Sequence, residues 1–136
     1  MTLSEIRDFV AGLSPAEHHA IGRLDNGRLK SLGIFGRKRS GGPVVALGGL
    51  GLSSYGIRSV RLLLHWNENA RETEAAAQAL WDALSCAAHI DLPGGGHIQC
   101  VRLLTPEPIA LGSDKGGVYE YVLDMDVYYR RESLTI

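Results

Sequence analysis

The sequence predicts an α+β domain: a mostly antiparallel sheet, two helices packed on one of its faces, and one long glycine-rich loop. Three observations predict it. Residues 116–129, GGVYEYVLDMDVYY, separate into two faces at a period of two. Tyr119, Tyr121, Leu123, Met125, Val127 and Tyr129 form an apolar face; Val118, Glu120, Val122, Asp124, Asp126 and Tyr128 form a partly acidic one. That alternation belongs to a half-buried antiparallel strand. Residues 70–88 carry a helical stripe. The strands that follow that helix are joined by short turns, which pair neighbours antiparallel and set helices against one sheet face.

The elements follow in order. In residues 2–13, Leu3, Ile6, Phe9, Val10 and Leu13 recur at helical spacing. Thr2 with Glu5 makes a capping box, and Gly12, Ser14 and Pro15 end the helix. Residues 19–24 read as a short strand and residues 29–35 as its return. Asn26-Gly27 lies between them, a dipeptide that tolerates positive φ, so the pair is expected as a β-hairpin. Residues 36–56 are dense in glycine and read as a long loop, with room for a short strand at residues 44–47. Loops of such length in compact domains are usually functional or mobile.

Residues 58–66 form the next strand. Val60, Leu62, Leu64 and Trp66 share one face, with Ser59, Arg61, Leu63 and His65 on the other, where His65 is expected to point outward. Asn69 caps the main helix, with Glu72 expected to complete a reciprocal cap. Thr73, Ala76, Ala77, Leu80, Trp81 and Leu84 fall on its stripe. Trp81 and Leu84 are expected to supply most of its buried area, each worth roughly 2–3 kcal/mol if fully buried. Residues 92–96 turn, 97–104 are a strand, 105–108 break it, and 109–111 extend it briefly. Residues 112–117 form a hairpin loop before the last strand.

A chain of 136 residues is expected to be one domain, residues 1–136. A formal net charge of -1 gives no global attraction to nucleic acid or to an acidic membrane, and little opposition to self-association. Cys86 and Cys100 are too few for a disulfide framework and read as reduced, core or half-buried residues. The N-terminus has no basic region before an apolar run, so no signal peptide is expected. No apolar run nears the roughly 20 residues that span a bilayer. A soluble protein with no membrane partner is the expectation.

Chemistry-bearing patterns are sparse. Gly48-Gly49-Leu50-Gly51 lacks the Gly-Lys-Ser/Thr ending of a phosphate loop and the GxGxxG spacing of a dinucleotide site. The histidines His18, His19, His65, His89 and His97 show no zinc-ligand spacing. Ser53-Ser54 lacks a GxSxG context. Asp124 and Asp126 share a strand face about 6.5–7 Å apart, a spacing open to an acid–base pair. The plainer reading pairs them with basic residues of a neighbouring strand, Arg61 and Arg102 being the candidates. Arg37, Lys38 and Arg39 are either a solvated loop or a phosphate contact. No catalytic residue, metal ligand or cofactor is assigned.

Three segments together resemble the tail terminator proteins of long-tailed bacteriophages, the group often labelled phage minor capsid protein. They are residues 60–74, VRLLLHWNENARETE; residues 104–112, LTPEPIALG; and residues 117–129, GVYEYVLDMDVYY. Residues 21–26, IGRLDN, and the strand at residues 30–36 are similar in kind. Order and spacing carry the resemblance, which covers nearly the whole chain; no single motif is diagnostic. It implies a structural protein, not an enzyme. Such a protein forms a ring, usually a hexamer, on the head-proximal end of the tail tube, stops tube polymerisation and meets head-completion proteins. DNA would pass through its lumen without sequence-specific binding. The implied location is the virion tail or neck, and the host cytoplasm during assembly. Arg37, Lys38, Arg39, Leu50, Tyr55, Asp124, Asp126 and Tyr128 are the candidate assembly-interface residues. The alternatives left open are another neck connector or stopper, a small hydrolase, and a nucleic-acid-binding module.

Overall fold

The computed structural model describes residues 1–24, 28–38 and 55–130. Its elements are α1 (Leu3–Ala11), β1 (His18–Ile21), β2 (Ser31–Gly36), β3 (Tyr55–His65), α2 (Ala70–Ser85), β4 (Ala88–Asp91), β5 (His97–Leu103), β6 (Ile109–Ser113) and β7 (Tyr119–Arg130). The described strands make one seven-stranded sheet in the order β1-β2-β3-β7-β5-β4, with β6 paired to β7. This is the α+β fold that the sequence predicts.

β7 holds the sheet together. It pairs with β3 over its whole length, from Tyr55↔Arg130 to His65↔Glu120. Its other edge is shared: β5 takes the C-terminal half and β6 the N-terminal half. The break at residues 104–108 thus divides one long antiparallel neighbour into two.

Both helices lie over one sheet face. Leu32, Ile34, Val60, Leu62, Leu64, Leu123, Met125 and Val127 are buried there with Ile6, Phe9 and Val10 of α1 and Ala76, Ala77, Leu80 and Leu84 of α2. Ala76 and Ala77 let α2 lie close to the sheet. Leu80 and Leu84 are fully buried, each contributing about 1.5–3 kcal/mol. Trp81 is only partly buried, so Leu80 takes the place expected for it. The Trp81 indole N–H instead donates to the Thr105 carbonyl at 3.2 Å, tying α2 to the break between β5 and β6.

The capping box of α1 forms as the sequence predicts. Thr2 Oγ1 accepts from the Glu5 N–H, and the Glu5 carboxylate accepts from the Thr2 N–H. At α2 the outcome differs. Asn69 Oδ1 accepts from the Arg71 and Glu72 N–H groups. The Glu72 carboxylate does not return to Asn69; it accepts from Asn67 Nδ2 at 2.8 Å. Asn67 Oδ1 takes the Asn69 N–H in its place, so Asn67 displaces Glu72 from the reciprocal role. The helix also stops at Ser85, short of residue 88. His89 adopts φ 53, and residues 88–91 pair with β5 as a strand too short to read from sequence.

The expected β-hairpin at the N-terminus does not form. β1 and β2 are parallel, with His18↔Ser31 and Ile21↔Ile34 in register. The chain turns at Gly22, which has φ 69, and passes over Gly33. A Cβ on Gly33 would lie 2.8 Å from the Arg23 carbonyl oxygen, so the absent side chain is what makes room for the return. Parallel crossovers usually need a dozen residues. Here the strand to be retraced is only four residues, about 13 Å, and a shorter link suffices. Asn26-Gly27 lies outside the described residues, as does most of the glycine-rich loop with its expected strand at 44–47.

Candidate assembly surface

The sheet face turned away from the helices carries Arg61, Glu120, Asp124 and Asp126. Asp124 and Arg61 are opposed across β3 and β7. Arg61 donates from Nε to Oδ1 at 2.8 Å and from Nη2 to Oδ2 at 3.0 Å, a two-point clasp. Arg37 Nε stands 3.7 Å from the same carboxylate. The hydrogen bond from Arg61 holds the Asp124 carboxyl below the usual range against the opposing effect of burial, with the charges of Arg61 and Arg37 adding to it. Asp126 is buried and accepts from Ser59 Oγ at 2.6 Å, with Arg37 Nη1 at 3.9 Å.

The two aspartates are therefore held by cations and a hydroxyl of their own chain. That agrees with the plainer reading of the pair, and Arg61 is one of its two named candidates. Arg102 stands opposite Asp126 in register, but the cation recorded at Asp126 is Arg37. The sequence reading missed Arg37 in this role. It follows β2 at the point where its N–H donates to the Ser59 carbonyl at 2.9 Å, which brings its side chain over β3 and β7.

The other candidates separate. Tyr55 and Tyr128 stack on each other with centroids 6.4 Å apart and planes at 17°. Lys38 is exposed beside Arg37 and Arg61 on a shallow surface. Arg39 and Leu50 lie outside the described residues. The structure thus gathers Arg37, Asp124 and Asp126 into one cluster, and Tyr55 with Tyr128 into another.

Two expectations are corrected. His65 does not point outward: its residue surface is 1% exposed. Its Nδ1 lies 3.2 Å from Glu120 and 3.7 Å from Asp114, because the β6–β7 hairpin folds over it. Cys86 and Cys100 are both exposed, not core or half-buried. Cys86 follows the last turn of α2, and Cys100 stands beside a register irregularity of β5.

Apolar exposure concentrates elsewhere. The large hydrophobic residues exposed among the described residues are Ile21, Leu29, Leu104, Ile109 and Leu111. Ile21 and Leu29 belong to β1 and its link to β2, Ile109 and Leu111 belong to β6, and Leu104 directly follows β5. Beside β6 a groove of about 690 Å³ runs between α2 and β7, lined in part by Ala70, Ala75, Tyr119 and Tyr121. Burial, then the nearby Glu74, pushes the Tyr121 hydroxyl pKa up.

Among the described residues, no group of three or more His, Cys, Asp or Glu is arranged to hold a metal ion. No described helix is long and apolar enough to cross a membrane. Fold and surface together define an α+β protein with a self-neutralised polar sheet face and exposed apolar edges. Compared with protein-family models and with curated proteins, the chain matches none.

Proposed function

We propose that this chain is a bacteriophage tail terminator: a structural protein, not an enzyme, that forms a ring on the head-proximal end of the tail tube. The ring, expected to be a hexamer, stops tube polymerisation and presents a surface to head-completion proteins. The observation that carries this reading is spatial. The three segments that resemble the family meet around one half of β7. Residues 60–74 supply the end of β3 and the start of α2, residues 104–112 supply most of β6, and residues 117–129 supply β7 itself. Segments that are far apart in sequence resemble the family and form one packed unit.

The polar sheet face fits a structural role, since Asp124 and Asp126 engage Arg61 and Arg37 of the same chain. Free negative charge at Asp124 and Asp126 is not what would keep DNA from adhering to a lumen, because Arg61 and Arg37 face them. The location that follows from the reading is the virion neck, reached from the host cytoplasm during assembly.

The test is electron microscopy of tail tubes assembled with and without the protein. Tubes of defined length, each with a ring at one end, are expected with it. Tubes that grow unchecked while the protein stays in solution would reject the reading.

A further inference from the structure

We propose that the ring is closed by β6 of one copy meeting β1 of the next, edge to edge and antiparallel. This rests on the ring reading and names the surface that reading requires. Among the described residues β1 pairs only with β2, and β6 pairs only with β7, so each leaves one edge without a neighbouring strand. An unpaired edge is a template for another strand. Three of the large hydrophobic residues exposed in the described structure lie on these two strands: Ile21 on β1, and Ile109 and Leu111 on β6.

The strand register places the edges at one level. His19, Leu32, Leu64, Tyr121 and Ala110 form a single row across five strands, and Ala20, Gly33, Leu63, Val122 and Ile109 form the next. A second copy set beside the first can therefore continue these rows without a step along the strands. A contact between two different surfaces closes into a ring when it adds rotation without rise, and otherwise propagates as a filament.

Direction agrees as well. β1 is parallel to β2, β3 opposes β2, β7 opposes β3, and β6 opposes β7. β1 and β6 consequently run in opposite senses, and a neighbour's β1 meets β6 antiparallel, the slightly more stable pairing. Had β1 formed a hairpin with β2, the same contact would be parallel.

The test uses cysteine cross-linking on the full chain, with the exposed Cys86 and Cys100 changed to Ser. Ala20→Cys and Ile109→Cys are introduced singly and together, and the assembled fraction is treated with a short bis-maleimide. The double variant should give a ladder of multimers that ends at the ring size, and each single variant should stay monomeric on a denaturing gel. Dimers from either single variant would mean that like edges meet, and would overturn the proposal. So would a double variant that stays monomeric although the protein sediments as a ring; the ring reading would then stand without this contact. A protein that never sediments above a monomer, alone or on tail tubes, would reject both. As a second measurement, Leu111→Lys replaces an exposed apolar side chain of the β6 edge with a charge. Leu111 is 54% exposed, so the monomer should melt as the wild type does. Its assembled fraction should fall at least tenfold, and an unchanged fraction would overturn the proposal.

Discussion

Tyr129 of β7 lies across Gly56 of β3, directly opposite it in the antiparallel register. A Cβ built on Gly56 would come within 2.6 Å of Cζ and Oη of that ring. The glycine is buried and leaves the space that the ring fills. An aromatic side chain laid over a strand glycine covers backbone that would otherwise be thinly packed.

Gly56→Ala should accordingly destabilise the protein by about 1–3 kcal/mol, the usual cost of overpacking. The urea midpoint should fall with an unchanged slope, since the surface exposed on unfolding stays the same. A midpoint equal to the wild type would mean that Tyr129 turns aside without cost.

The Arg61–Asp124 clasp predicts an acid-sensitive contribution to stability. The Asp124 carboxyl titrates lower in the folded chain than in the unfolded one, first through its hydrogen bond from Arg61. Its contribution is therefore present above the unfolded pKa, about 3.9, and is lost as pH falls through the folded value. Asp124→Asn should cost about 0.5–1 kcal/mol at pH 7, a modest figure because the Arg61 side chain is 53% exposed. Urea titrations from pH 7 down to pH 2 should show the two proteins converging on the acid side. A gap that widened on acidification would contradict the assignment.

At α2 the cap assigns unequal roles to Asn69 and Glu72. Asn69→Ala removes the acceptor of two backbone N–H groups and should cost about 0.5–2 kcal/mol. Glu72→Gln keeps an acceptor for Asn67 and should cost less. Thermal melts followed by circular dichroism separate them. Equal losses would restore Glu72 to the reciprocal capping role.

Sequence patterns exposed the elements whose burial is one-sided and periodic. The alternation in residues 119–129 and the stripe from Thr73 to Leu84 need no knowledge of neighbours, because each reports its own contact with a core. Pairing direction is a different kind of information. Residues 18–36 read as two strands correctly, yet their relative sense depends on Gly33 leaving room for the Arg23 carbonyl, a contact between segments. His65 alternates with core residues and so reads as exposed. Asp114 and Glu120 come to it from a hairpin about 50 residues further along the chain. Part of the polar cluster was legible, since Arg61 and Asp124 lie on strands that pair. Arg37 was not, because nothing in its own neighbourhood says that the chain beyond β2 runs along Ser59.

The central place of β7 has a consequence for biosynthesis. Before residues 119–130 leave the ribosome, the described strands can form only separate ribbons, β1–β2–β3 and β4–β5, with β6 unattached. The partner that joins them is the last of the described strands to be made, and its pairs with β3 span more than 50 residues of chain. Closing loops of that length precedes any gain from the contacts they permit, which slows folding toward milliseconds to seconds. Until then the apolar faces of both ribbons stand open, and a nascent chain halted at that stage is at its most exposed to aggregation.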